Sequence, residues 1–149
     1  MSDILENPAA LRPVIRVEVH VAPPTMLGEL AGVERRIIAI AGGTIAGADF
    51  AGTILPGGSD IQSVRADGTI ELTARYAVDL GPHGKLLVEN TGIRRNATGL
   101  EAQSAPPYFR GVMRFNAPAG PLQWLNDSVF ISSGRREGGT VFLDVFEVV

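Results

Sequence analysis

Strict alternation of apolar and other residues over positions 70–80 is the feature that most constrains the fold of this chain. The apolar row consists of Ile70, Leu72, Ala74, Tyr76, Val78 and Leu80. Successive side chains of a β-strand point to opposite faces of its sheet, so this row predicts one buried face. On that interpretation Tyr76 points into the core, and Arg75 points to solvent unless a bulge redirects it.

Similar patterns recur along the chain and predict an all-β protein. Further strands are expected at residues 14–21, 35–41, 85–90, 108–115, 128–133 and 139–148. The 18 glycines and 10 prolines favour many short elements, and a helix of a turn or two is expected only at residues 119–126. About seven or eight short strands are typical of an antiparallel barrel or sandwich. A single up-and-down β-barrel of the calycin type is favoured, because closure removes exposed strand edges.

Turn-forming residues set the expected boundaries. Gly42-Gly43 is expected to end the strand at residues 35–41, and residues 135–139 are expected to form a hairpin loop. Residues 101–107 are expected to form a surface loop. Residues 1–13 are interpreted as an N-terminal extension and residues 14–149 as one barrel domain.

Composition argues against several classes of protein. The formal net charge of −3 provides no electrostatic attraction to nucleic acid or to an anionic membrane, so neither is expected as a partner. Without cysteine, the chain has no thiolate nucleophile and no zinc site of the cysteine type. Acidic opening residues with no apolar run after them predict no secretory signal, and the expected location is cytoplasmic.

No bound metal and no cofactor are expected from the sequence. His20 and His83 are the only histidines, and they stand far apart in the chain. The glycines at positions 42, 43 and 47 match neither the dinucleotide nor the phosphate-loop spacing. Any chemistry would therefore rest on ordinary side chains.

Asp60 is the candidate catalytic residue. It follows Pro56-Gly57-Gly58-Ser59, so it could project from a turn into the mouth of a barrel. Partial burial at such a place tunes the pKa of a carboxyl group for proton transfer. The simpler interpretation is an aspartate that hydrogen-bonds its own turn.

Two further segments place aromatic rings beside hydrogen-bond donors, Tyr108-Phe109-Arg110 and Trp124-Leu125-Asn126. Together with an inward Tyr76 they suit a pocket for a small, partly apolar molecule. They suit equally well a plug of packed side chains inside a barrel.

Taken in order, several segments resemble the DUF3237 family, also called UPF0311. The resemblance rests on residues 35–43, Gly47, Gly52, residues 55–60, Asp67-Gly68, residues 74–76, 88–94, 108–110 and 124–126, Phe130, and residues 141–149. It covers most of the chain from about residue 14 onward. It implies an up-and-down β-barrel with an interior of small-molecule size. It also implies a kinship with proteins of aromatic or polyketide metabolism, for which cyclase or hydrolase roles have been suggested.

The chain departs from the family pattern at three places. Ile61 stands where the family often has tryptophan, and Asn116 stands where it often has glutamate. Gly81-Pro82-His83-Gly84 replaces an acidic turn. Position 116 therefore offers no general acid or base, and His83 is a candidate substitute for the lost acid–base capacity.

The first hypothesis is a cofactor-independent enzyme that acts by acid–base chemistry on a small apolar or aromatic molecule bearing oxygen. Asp60 would be the general acid or base, and Arg75, Tyr108 or Arg110 would stabilise an enolate, phenolate or carboxylate. Addition–elimination, cyclisation or lactone chemistry, and hydrolysis all need only such groups. The residues expected to bind the substrate are Tyr76, His83, Asn90, Trp124 and Asn126.

The second hypothesis is a small-molecule carrier without chemistry. Its cavity would be lined by Tyr76, Phe109, Trp124 and aliphatic residues, with charges only at the rim. An aspartate that meets an arginine inside the cavity would count against it. The third interpretation is a self-associating protein, a homo-oligomer, which Phe142 or Phe146 exposed on a flat face would favour.

Overall fold

The computed structural model describes residues 5–96 and 106–149, and almost all of the regular structure in these residues is β-sheet. Its strands are β1 (Leu11–Val21), β2 (Thr25–Leu30), β3 (Val33–Gly47), β4 (Ala51–Ile54), β5 (Gly58–Val64), β6 (Ile70–Asp79), β7 (Lys85–Arg95), β8 (Tyr108–Asn116), β9 (Phe130–Glu137) and β10 (Thr140–Val148). Short 3₁₀ helices occupy Gly81–His83 and Gln123–Asp127. Most of the surface loop expected at residues 101–107 lies outside the described residues.

The sheet closes on itself to form an antiparallel barrel, which confirms the expected fold class. Neighbouring strands follow the order β1-β10-β9-β8-β7-β6, and β6 then pairs with β5 and β4 in turn. Both of these pair with the long β3, and β3 pairs with β1 to complete the ring. Strand β2 pairs only with β3 and extends the sheet beyond the barrel.

All seven predicted strands are present, although their bounds differ from the expected ones. Strand β3 does not end at Gly42-Gly43, because both glycines take positive φ angles (154° and 143°) and let the strand bend while pairing continues. The hairpin loop expected at residues 135–139 is a tighter turn at Gly138-Gly139, since Glu137 pairs with Thr140. Strands β2, β4 and β5 were not predicted.

One end of the barrel is filled by the packed side chains of Phe115, Trp124 and Phe130, which form the Trp124 plug. The Phe115 and Phe130 rings meet edge to face, with centroids 4.9 Å apart, and Trp124 packs on Phe130 at 6.0 Å. The helix expected at residues 119–126 is the 3₁₀ helix Gln123–Asp127. Its Asn126 side chain holds it in place, because the side-chain amide bonds both the backbone N–H and the carbonyl of Ala117.

The outer faces carry polar residues and ion pairs. Phe142 is half-buried and lies 4.4 Å from the Arg135 guanidinium, and Phe146 is half-buried as well. The flat, exposed aromatic face that would favour self-association is therefore not formed by these two residues.

No helix in the described part of the chain is both long enough and apolar enough to cross a membrane.

Candidate functional site

The barrel end opposite the Trp124 plug contains a cavity of about 50 Å³. A single buried water needs only about 10–15 Å³ of such space, so the cavity has room for more than one water molecule. Most of its wall is apolar, and the apolar lining includes Val19, Val21, Ile38, Ile40, Ile70, Leu72, Phe109, Val141 and Leu143. Its polar lining consists of Arg36, Asp60, Gln62, Tyr76, Asn90, Arg94 and Arg136.

Asp60 reaches the cavity because it lies on the inner face of β5 together with Gln62. Asp60 and Gln62 face inward, whereas Ile61 between them is 44% exposed. Across the sheet Asp60 pairs with Ile38 of β3 and Ala74 of β6, so its strand neighbours are apolar. Asp60 is thus part of a strand and not a turn residue that bonds its own backbone.

A hydrogen-bonded relay connects Asp60 to an arginine. Gln62 Nε2 donates to Asp60 Oδ2 at 2.7 Å, and Arg36 Nε donates to Gln62 Oε1 at 2.7 Å. The relay fixes the Gln62 amide in one orientation, since it must accept with its oxygen and donate with its nitrogen. Asp60 and Arg36 are therefore connected through Gln62, without an ion pair between them among the described residues.

Burial makes ionisation of Asp60 unfavourable. Desolvation raises the pKa of the Asp60 carboxyl above its ordinary value of 3.8, and the Gln62 hydrogen bond and the charges of Arg36 and Arg136 oppose this only in part. A carboxylate whose pKa is raised is a stronger base than an exposed one, and its acid form persists to higher pH.

Two buried polar atoms of the cavity wall have no hydrogen-bond partner among the described residues. They are Asp60 Oδ1 and the Tyr76 hydroxyl. Burial also raises the pKa of the Tyr76 phenol, so this group stays a neutral donor. Buried polar groups without partners are uncommon in folded proteins, and here both lie where a bound molecule could satisfy them.

The arginines inside the barrel are Arg36 of β3, Arg94 of β7 and Arg136 of β9. None of the three was predicted from the sequence. A signal was present for each of them, because each continues an inward row of its strand. Arg36 continues the row of Ile38 and Ile40, Arg94 that of Val88 and Asn90, and Arg136 that of Phe130 and Ser132. Partial burial, with the charges of Arg136 and Arg36, lowers the pKa of Arg94.

Asn90 lies deep in the cavity wall and is fixed from the far side. Ser132 Oγ donates to Asn90 Oδ1 at 3.2 Å, and both side chains are buried. Gly111 lies between them, and a Cβ at that position would approach Asn90 Oδ1 to 2.5 Å. The missing side chain at Gly111 makes room for the pair.

The predicted site residues separate into two groups. Asp60, Tyr76 and Asn90 line the same cavity. His83 is exposed in the 3₁₀ helix Gly81–His83, and Trp124 and Asn126 belong to the plug at the opposite end. Of the two interpretations of the Trp124 segment, the plug matches the structure.

The remaining candidates, Arg75, Tyr108 and Arg110, lie on the outer face of the barrel. No bulge interrupts the pairing of β6 with β7, so Arg75 keeps the outward orientation of its row and pairs with Glu89 at 2.8 Å. Tyr108 is 41% exposed and lies against the guanidinium groups of Arg95 and Arg110. These three residues cannot reach a molecule beside Asp60, and the interior arginines take their place as candidate oxyanion donors.

Within residues 5–96 and 106–149, no three histidine, aspartate or glutamate side chains cluster as metal ligands would. The donor set of the cavity is instead one carboxyl group, one phenol, two amides and three guanidinium groups. Such groups can bind an oxyanion and exchange a proton with it.

Comparison with known proteins finds relatives of similar sequence and solved structures of similar fold. A UPF0311 protein of Rhodopseudomonas palustris strain TIE-1 is 34% identical over 144 residues, which cover 91% of this chain and 94% of that protein. The crystal structure of a β-barrel-like protein from Acinetobacter baumannii AYE is 28% identical, with a TM-score of 0.88 over 97% of this chain and 99% of that one. An enzyme from Penicillium herquei shares the fold, with a TM-score of 0.77 at 20% identity over 99% of this chain and 100% of its own. The model of the family described as protein of unknown function (DUF3237) matches residues 9–148, and the chain belongs to that family.

Proposed function

We propose that the protein is a cofactor-independent enzyme in which Asp60 transfers a proton to or from a small, partly apolar molecule in the barrel cavity. The observation that carries the proposal is the unpartnered Oδ1 of Asp60, held by the Gln62 relay against an apolar wall. A carrier needs no such group, because a buried carboxyl oxygen without a hydrogen-bond partner costs stability.

The reaction class follows from the groups present. Asp60 takes up a proton at one step and returns it at another, so the cycle needs no oxidant or reductant. The interior arginines and the Tyr76 hydroxyl supply donors for an enolate, phenolate or carboxylate oxygen in a site of low dielectric. Addition–elimination, ring closure and hydrolysis all fit this set. The distant relative from Penicillium herquei is described as an enzyme, which supports catalysis without indicating a reaction.

A carrier of small molecules is the second candidate, and the mostly apolar wall with Tyr76 and Phe109 in it favours this function. Two features count against it. Trp124 does not line the cavity, and Asp60 carries a buried oxygen inside the barrel that has no hydrogen-bond partner among the described residues.

A ligand screen with product analysis tests the proposal. Aromatic acids, phenols, lactones and polyketide-like fragments are screened by thermal shift, and each stabilising compound is examined by mass spectrometry after incubation. A compound that binds only the folded state raises the melting temperature by mass action. We expect at least one such compound to be converted by the wild type and by Asp144→Asn, which alters an outer-face ion pair. Asp60→Asn should bind it and leave it unchanged.

Other results would contradict the proposal in distinct ways. Conversion by Asp60→Asn at the wild-type rate would show that Asp60 is not the catalytic group. Tight binding with every compound recovered intact would favour the carrier.

A further inference from the structure

The arginines of this protein divide sharply between the outside and the inside of the barrel. On the outside, Arg12, Arg16, Arg65, Arg75 and Arg135 each form an ion pair with an acidic residue. Among the ion pairs of the described residues, none includes Arg36, Arg94 or Arg136. Four exposed arginines (Arg35, Arg95, Arg110 and Arg114) also lack an ion pair among the described residues, but their charges are solvated. The three interior arginines lack an acidic partner there while they are partly buried in the wall of one cavity.

The partners that the interior arginines do have are neutral. Arg36 Nε donates to the Gln62 side chain at 2.7 Å, and Arg136 Nε donates to the Gly138 carbonyl at 2.9 Å. Asp60 is the single acidic residue of the cavity wall in the described part of the chain, and burial disfavours its charged form. The cavity therefore carries an excess of positive charge.

Holding these guanidinium groups near one another costs free energy. Arg94 is half-buried, and the charges of Arg136 and Arg36 act on it unfavourably. Like charges in a place of reduced dielectric repel one another more strongly than they would in water. An anion bound between them would offset that repulsion and would supply an acidic partner, as five of the outer arginines have.

The three arginines lie at the open side of the cavity. A bound anion would therefore have its charged group at that side and its apolar part farther inside. Arg36, Gln62 and Arg94 are near the ends of their strands at the open side of the barrel, and Arg136 precedes the tight turn at Gly138. An adjoining hollow shares Arg94, Phe109 and Arg136 with the cavity, and its one acidic residue, Glu137, pairs with Arg135. Behind the arginines the wall is apolar, with Tyr76 and Asn90 deeper inside.

We propose that Arg36, Arg94 and Arg136 form an anion subsite that binds the carboxylate of a small amphipathic acid whose apolar body occupies the inner cavity. The planar guanidinium fork matches the two oxygens of a carboxylate. A carboxylate attached directly to an apolar body also fits a site in which the wall behind the arginines is mostly apolar. The inference deepens the proposed function, since the acid would be the substrate, but the subsite does not require Asp60 to be catalytic.

Matched pairs of neutral and charged compounds test this subsite. Butyrate, benzoate and 2-naphthoate are titrated calorimetrically beside their amides, with phenyl phosphate as a second anion. We expect at least one acid to bind the wild type about tenfold or more tightly than its amide, the size of effect typical of a charged hydrogen bond. The preference should weaken with added salt.

Single-residue variants identify which arginines cause the binding preference for the acid over its amide. Arg94→Met and Arg136→Met keep most of the side-chain length, and in each the preference for the acid should fall to about twofold or less. Arg110→Met, on the outer face, should leave it unchanged. Circular dichroism and melting temperature establish that each variant is folded, and Arg36→Met serves in place of any that is not.

The outcomes separate this inference from the proposed function. An acid preference that survives in the interior variants, or an absence of preference for every acid of the series, would overturn the subsite. Phenyl phosphate that binds more tightly than all the acids would overturn the assignment to carboxylates. Asp60→Asn should retain the acid preference, so loss of turnover in that variant tests catalysis alone.

Discussion

Asp60 carries a carboxyl group in a place where its ionisation is disfavoured. Its strand neighbours Ile38 and Ala74 are apolar, and only the Gln62 amide bonds it directly. The charges of Arg36 and Arg136 favour the ionised form, but desolvation outweighs them, so the pKa is raised. This balance makes the residue costly for stability and useful for proton transfer.

The raised pKa of Asp60 predicts a pH-dependent stability. The unfolded chain ionises this group near its ordinary value of 3.8 and the folded chain only at higher pH, so stability falls as pH rises between the two values. Relative to wild type, Asp60→Asn should gain a few degrees in melting temperature at neutral pH. The gain should vanish below about pH 4. Thermal unfolding of both proteins from about pH 3 to about pH 8 measures it, and an equal difference at every pH would contradict the prediction.

Tyr76 is a second polar group in the cavity wall whose burial is unfavourable, and its phenol is neutral. Its hydroxyl is buried without a partner among the described residues, so Tyr76→Phe should keep or raise the stability, by up to about 1 kcal/mol. If the hydroxyl serves a bound molecule, the variant should lose affinity or turnover while its melting temperature does not fall. Tyr108→Phe, on the outer face, is the matched control and should change neither. A marked loss of stability in Tyr76→Phe would reveal a structural role for the hydroxyl.

At the scale of elements, strand β5 explains why the site was only partly predictable. Its inward residues are Asp60 and Gln62, and its apolar Ile61 faces outward. A search for strands by buried apolar rows therefore overlooks it. The same search works for β6 and β10, where the inward rows are apolar. Asp60 was identified from its neighbouring glycines, and its place in a strand came from pairing with β3 and β6.

Strand β3 closes the barrel through a close contact at Gly43. A Cβ there would collide with the backbone carbonyl of Glu18 on β1, and the residue also has a φ of 143°. Gly43→Ala should therefore destabilise the fold by about 3 kcal/mol or more, because backbone and not a flexible side chain must move.

Denaturant unfolding measures the effect of Gly43→Ala. Gly139→Ala is the control, since its Cβ would meet only the Val21 carbonyl at an ordinary 3.5 Å. Equal stabilities of the two variants would show that β1 and β3 do not depend on this close approach.

On the scale of the whole molecule, the barrel has two unlike ends. One is packed with aromatic rings and closed by the 3₁₀ helix Gln123–Asp127, and the other holds the cavity with its arginines. The plug contributes to stability and the open end holds the polar groups. This division allows the polar groups of the cavity to be poorly satisfied without loss of the fold.

Trp124→Ala tests that division. The ring packs on Phe130 and lies 5.6 Å from the Arg12 guanidinium, so its loss should cost about 2 kcal/mol or more of stability. Affinity for the acids described above should change by less than about twofold, because Trp124 does not line the cavity. Calorimetry and thermal unfolding measure the two effects. A weakened acid preference with unchanged melting temperature would instead assign Trp124 to the binding site.

The strand pattern favoured a closed barrel over a sandwich, because closure removes exposed strand edges. The sequence by itself determined the all-β class, the inward row of Tyr76 and the outward position of Arg75. Those features depend on a period of two, which is local and survives without knowledge of any partner strand. Only the tertiary structure decided which strands face one another. It placed Arg36, Arg94 and Arg136, which are distant in sequence, around one cavity with Asp60 and left Arg110 outside. The inward or outward sense of a polar residue depends on strand register and ring closure, which involve contacts between distant segments.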